Sequence, residues 1–116
     1  QSLNNFGMST CKTEVIYQNQ DFIFTKCVDC CRMGLMYHQV MIGFDEVNFA
    51  AFIRYLKQID FDYYKFPCMD GIDRVIIETY HQDIQFSFSE EEFYHLKASA
   101  IEANEQLQLI EMIRKL

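Results

Sequence analysis

The chain has 116 residues, 50% hydrophobic and 16% aromatic, with one proline, four glycines and no tryptophan. That is enough for one domain with a real core, and it leaves little composition for a long disordered linker. The net charge of -7, from 17 acidic and 10 basic residues, argues against nucleic acid as a partner and against a basic membrane-binding helix. No apolar run approaches the roughly 20 residues a membrane span needs, so the expectation is an acidic, soluble, cytoplasmic domain.

The opening QSLNNFG precedes Met8, carries no charge and lacks the apolar run of a secretory signal. Residues 1–7 read as an expression remnant and 8–116 as a single domain. The five cysteines are an odd number, and three crowd into KCVDCC, Lys26 to Cys31. Without an export signal, reduced thiols are the expectation rather than a disulfide framework.

The first element is Thr13 to Lys26. Two β-rich runs flank the polar tetrad Gln18-Asn19-Gln20-Asp21, which predicts an antiparallel hairpin. Such a hairpin brings Cys11, at its open end, close to Cys27 and Val28. Gly34 to Phe44 reads as further strand sequence. Asp45 then serves as an N-cap, with Phe44 and Phe49 as a hydrophobic staple. Phe49, Phe52, Ile53 and Leu56 share one face of a helix predicted from Glu46 to about Gln58.

The second half replays the scheme. Asp70-Gly71 sits between two β-rich runs as a hairpin turn, and Pro67 limits its strand to an edge. Ile84, Phe86 and Phe88 alternate as a half-buried strand. Ser89 and Glu92 form a capping box, and Phe88 and Phe93 repeat the staple. Phe44, Asp45, Glu46 and Phe49 thus recur as Phe88, Ser89, Glu90 and Phe93. Tyr37-His38-Gln39 recurs as Tyr80-His81-Gln82, which places both histidines at strand turns. The fold class is α+β: two tandem β-β-β-α units, about 11–59 and 62–116, whose antiparallel strands pack on two helices. The copied residues are a turn, a strand and a helix start. They carry folding information, and the SEEE carboxylates suit a helix N-terminus better than acid–base work.

The last helix has no glycine or proline from Glu90 to Lys115. Leu96, Ala100, Ala103, Leu107 and Ile110 form a heptad-like seam, and Leu109, Met112 and Leu116 form a second stripe. At 1.5 Å per residue it is about 39 Å long and should overhang so small a domain. Either it breaks near Asn104 or it pairs with a second chain. The absence of a kink-forming residue favours a homodimer through this helix.

One constellation has metal-ligand spacing. Cys27 and Cys30 form a C-x-x-C pair at a hairpin end, the geometry of a zinc knuckle, and Cys11 supplies a third thiolate. The fourth ligand is open among Cys68, His38 and Cys31. The competing reading is that these cysteines act as small hydrophobes. A redox role ranks below both, because strand sequence flanks the pair where a thioredoxin-type thiol needs a helix N-terminus.

KCVDC followed by strands, with FSFSEEEF opening a helix, resembles small uncharacterised bacterial proteins of the domain-of-unknown-function kind over Cys11 to Ile113. The resemblance implies no activity and no binding residues. No phosphate loop, nucleophile elbow or H-E-x-x-H motif is present. The leading expectation is a non-enzymatic interaction or regulatory module with an unknown protein partner, stabilised by a structural zinc at the knuckle. The alternative is a small enzyme or small-molecule-binding protein with a pocket between the repeats, using His38, His81, Cys68 or the Asp70/Asp73 pair.

Overall fold

The structure, a computed structural model, describes residues 12–116. Asn19 organises the first turn. Its Oδ1 accepts from the amides of Asp21 and Phe22 at 3.1 and 3.0 Å, an Asx closure that fixes the chain reversal. Strands β1 (Thr13–Gln18) and β2 (Phe22–Cys27) pair antiparallel on either side. The register shifts between Val15 and Tyr17, and this bulge turns Ile16 into the core while leaving Val15 exposed.

The meander continues through β3 (Met33–Tyr37) and β4 (Val40–Phe44), giving a sheet of order β1-β2-β3-β4. The run read as strand from Gly34 to Phe44 is therefore two strands folded about His38, whose φ is 54°. Gly34 is demanded by a close cross-strand approach, since a Cβ there would meet Thr25 Oγ1 at 2.6 Å. Helix α1 (Glu46–Gln58) starts where the sequence places it. Asp45 accepts from the Asn48 amide at 2.7 Å, and the Phe44 and Phe49 rings lie 5.7 Å apart.

The opening of the second unit departs from expectation. The β-rich run before Asp70-Gly71 is mostly a short helix, α2 (Phe61–Tyr64), because Asp60 caps it by accepting from the Asp62 amide at 3.1 Å. Only the two residues of β5 (Phe66–Pro67) remain extended. They pair with β6 (Asp73–Glu78), which pairs along its length with β7 (Gln85–Ser89). Gly71, at φ 83°, supplies the positive φ of the hairpin turn. Two tandem β-β-β-α-like units result, the first with one strand more than the second.

Helix α3 (Glu90–Arg114) opens with the expected capping box between Ser89 and Glu92 and runs without a break at Asn104. Its 25 residues span about 37 Å. Its seam of Phe93, Leu96, Ala100, Ala103 and Leu107 is buried against both sheets and α1. The expected overhang is therefore shorter than the helix length implied. Leu107 is buried and Ile110 packs against the core, whereas Leu109, Met112, Ile113 and Leu116 are exposed.

Polar clamps fix α3 to the first sheet. Asn19 Nδ2 donates to the buried Ser99 Oγ at 2.8 Å. The nearly buried Lys26 meets Glu111 at 2.6 Å, and Arg114 meets Glu14 at 2.7 Å. The hydrogen bond to Glu111 holds the Lys26 ammonium above its ordinary value of 10.5, against the opposing effect of burial. A pKa raised in the folded state stabilises the fold below the unfolded value and ceases to do so as pH rises through the folded one. Glu111→Ala leaves that ammonium without its carboxylate. The expected loss is about 1–2 kcal/mol, less than for a fully buried pair because Glu111 is partly open to water. Urea denaturation at neutral pH should show this loss, and the gap to wild type should narrow above pH 10.5 as Lys26 discharges.

Candidate functional site

The cysteine corner is built as the hairpin predicts. Thr13 lies opposite Cys27, and the Val28 amide donates to the Lys12 carbonyl at 2.9 Å. Cys11, the third expected ligand, lies outside the described residues. Cys27 ends β2 with its side chain buried, and its Sγ accepts from the Cys30 amide at 3.3 Å. Cys30 and Cys31 are exposed, and Cys31 takes a φ of 61°.

The structural zinc is not supported. Among the described residues, no group of three or more histidine, cysteine, aspartate or glutamate side chains could hold a metal ion. Of the candidate fourth ligands, His38 follows the far end of β3, and Cys68 follows β5 in the hairpin loop of the other sheet. Local desolvation and the neighbouring Glu46 carboxylate push the Cys31 thiol up, away from the thiolate a metal requires. The turn that resembles a zinc knuckle closes with an N–H···S hydrogen bond to the sulfur of the buried Cys27.

The histidines and aspartates singled out in the sequence do not converge either. His38 faces Asp21 at 3.8 Å, and Asp21 also meets His95, which the sequence did not suggest, at 3.1 Å. His81 is exposed in the β6–β7 loop, its ring 4.4 Å from that of Tyr80. Asp70 is committed to the hairpin. It accepts from the Ile72 amide and from Arg74 at 3.0 Å each, and Arg74 holds its carboxyl below the usual range. Asp73 pairs with Lys65 at 3.8 Å. These are turn-stabilising ion pairs rather than two carboxylates sharing a reaction.

Space opens elsewhere, between α1 and β6. A groove of about 490 Å³ runs beside the edge of β6, walled by Tyr55 and Ile59 on one side and by Tyr64 and Phe66 on the other. Val75 and Ile76 form part of its lining, and Gln58 and Glu78 supply its polar side chains. A smaller hollow of about 240 Å³ adjoins it, sharing Tyr55 and Glu78 and bounded by Tyr80. Tyr80 is fixed in place by donating from its hydroxyl to the Gly43 carbonyl at 2.6 Å, which ties the second unit to the first.

The groove exists because the chain leaves β6 early. Were β5 extended backwards, Tyr64 would lie opposite Ile76. Instead the Asp60-capped α2 turns away and leaves the gap. On the opposite wall the Tyr55 hydroxyl accepts from the Glu78 amide at 3.0 Å. Burial pushes the Tyr55 phenol above 10, with the Glu78 carboxylate adding to the shift and the donated amide hydrogen bond opposing it. Part of this is visible in the residues themselves. Tyr55 lies off the Phe49, Phe52, Ile53 and Leu56 face, and Asp60 is a legible N-cap.

Sheet order, the cap pattern and the inter-unit groove define a two-unit α+β domain with one long helix. The chain belongs to the family of unknown function DUF6686, whose model matches residues 8–114. No curated protein and no solved structure matches it.

Tyr55→Phe removes the acceptor of the Glu78 amide at an expected cost of about 1 kcal/mol. Amide exchange at Glu78 should accelerate, and one phenol ionising above pH 10 should vanish from the ultraviolet difference titration. Because the fold favours the neutral phenol, its contribution is present below pH 10 and is lost as pH rises through the raised value.

Proposed function

We propose that the protein is a non-enzymatic binding module that receives a polypeptide partner in the groove between α1 and β6. One observation carries this reading: the groove is walled by aromatic and aliphatic side chains, with no histidine, cysteine or serine in its lining. Exposed rings beside an open groove bury large apolar area at small entropic cost, as partner-binding surfaces do. The side chains of the enzymatic alternative, His38, His81, Cys68 and the Asp70/Asp73 pair, lie outside that lining. The module needs no metal in this reading.

Self-association accompanies it. The exposed end of α3, with Leu109, Met112, Ile113 and Leu116, is an apolar stripe that monomers tend to avoid. A two-fold copy of the same helix is its simplest cover. Among the described residues no helix is long and apolar enough to cross a membrane. The thiols Cys31 and Cys68 suit the reducing cytoplasm, where we place the module.

Phage selection of random peptides on the purified protein tests the groove, with the double variant Tyr64→Ser/Phe66→Ser as the control. Enrichment that disappears on this control is expected, with its far-UV circular dichroism unchanged because both side chains are exposed. Enrichment that survives the control, or no enrichment at all, removes the polypeptide reading. Sedimentation tests the dimer separately. Wild type should sediment as a dimer at micromolar concentration and Met112→Asp/Ile113→Asp as a monomer. A wild-type monomer refutes self-association.

A further inference from the structure

We propose that the groove's occupant is an extended, basic segment of a partner protein that adds to the second sheet as a strand along the open edge of β6. This rests on the reading of the groove as a polypeptide site and specifies how that polypeptide is held. β5 pairs with β6 only at Asp73 and Arg74, so the edge from Val75 to Glu78 has no strand partner on that side. On the other side β7 pairs with every residue from Arg74 to Glu78.

The direction of the backbone groups follows from alternation. In an antiparallel ladder successive residues direct their N–H and C=O to opposite neighbours. The Ile72 carbonyl accepts from Cys68 on the β5 side, and the Glu78 amide donates to Tyr55 on that same side. Ile76 has the same parity as both, so its N–H and C=O point into the groove. Tyr55 satisfies the donor at one end of this edge and Phe66 pairs with Arg74 at the other. Between them Ile76 presents one donor and one acceptor, the pair an added residue satisfies in strand addition.

Two further features specify the segment. The ladder that β5 begins is antiparallel, so an added strand continues it past Phe66 over the position α2 vacates. Alternate side chains of that strand fall against Tyr64 and Phe66. Glu78 is the one charged side chain in the groove lining, and it also lines the adjoining hollow between Tyr55 and Tyr80. On a chain of net charge -7, that position favours a lysine or arginine, which meets a carboxylate and two aromatic rings together.

The edges of the first sheet are less receptive. The bulge at Ile16 disrupts the ladder of β1, and the Gly43 carbonyl of β4 is already taken by Tyr80.

The test uses the full chain and the C-terminally amidated hexapeptide Lys-Val-Lys-Val-Lys-Val. Its counterparts carry N-methyl groups at alternate residues or glutamate in place of lysine. Binding of the basic peptide should slow hydrogen exchange of the Ile76 amide by about tenfold or more. N-methylation, which leaves the protein untouched, and the glutamate exchange should each weaken binding by about tenfold or more. Ile76→Pro removes a donor the fold does not use, as edge strands tolerate, and should abolish binding while Ile76→Val retains it. Absence of binding by the basic peptide, or binding with Ile76 exchange unchanged, overturns strand addition. So does slowing of Ile76 exchange by protein concentration alone, which would make a second copy the occupant. If the phage selection enriches groove-dependent peptides that bind Ile76→Pro equally well, strand addition is wrong and the binding module stands. A selection that enriches nothing removes the broader reading as well.

Discussion

A single helix face holds the two halves together. A three-stranded sheet whose first strand has two residues has little stability of its own, and a four-stranded meander needs a second layer over its apolar face. α3 supplies that layer to both. Its first turns bury Phe93 and Leu96 near β6 and β7, and its later turns bury Ala103 and Leu107 towards the first sheet. One apolar cluster therefore runs through both units, from Phe22 and Leu35 to Val75 and Ile77. The small residues Ala100 and Ala103, both fully buried, let the helix approach closely at its middle. Ser99 takes the hydrogen bond of Asn19 at the same level. The β1–β2 turn is thereby tied to α3.

The parts legible in the sequence are those whose causes are local. Asp45 and Ser89 begin their helices where an unpaired amide needs an acceptor, and the cap, staple and seam residues all lie within a few positions of one another. The Asp70-Gly71 turn and the edge character of Pro67 follow from backbone sterics in the same way. α2 is not legible in composition because Tyr63 and Tyr64 favour strand, and Asp60 overrides that preference with one side-chain hydrogen bond. The helix overhang is shorter than its length implies because α3 lies against strands of both sheets. That property belongs to the assembled units, and no window of sequence contains it.

The cysteine corner shows a different limit. A C-x-x-C spacing specifies a tight turn in which the first sulfur faces the amide of the last residue. Metal knuckles and metal-free turns share that geometry, so the spacing alone does not distinguish them. What is seen here is a difference in exposure: Cys27 is buried, whereas Cys30 and Cys31 are exposed. Cys31 also lies beside Glu46, at the first turn of α1. A carboxylate there suits the helix dipole and opposes a second negative charge on sulfur. The start of α1 and a thiolate at Cys31 are thus in electrostatic conflict at this corner.

The difference between the two units explains where a site can form. The first sheet has four strands, a bulged edge at β1 and a tied carbonyl on β4, so it functions as closed scaffold. The second keeps the copied elements, a turn, a strand and a capped helix start, but loses most of its first strand to α2. That loss exposes backbone beside the aromatic side chains of Tyr55, Tyr64 and Phe66. Duplication accounts for the shared framework, and the departure from it accounts for the groove. The repeated residues are therefore poor guides to function here. Residues present in one copy only, Tyr55, Asp60, Tyr64 and Glu78 among them, surround the groove or create it.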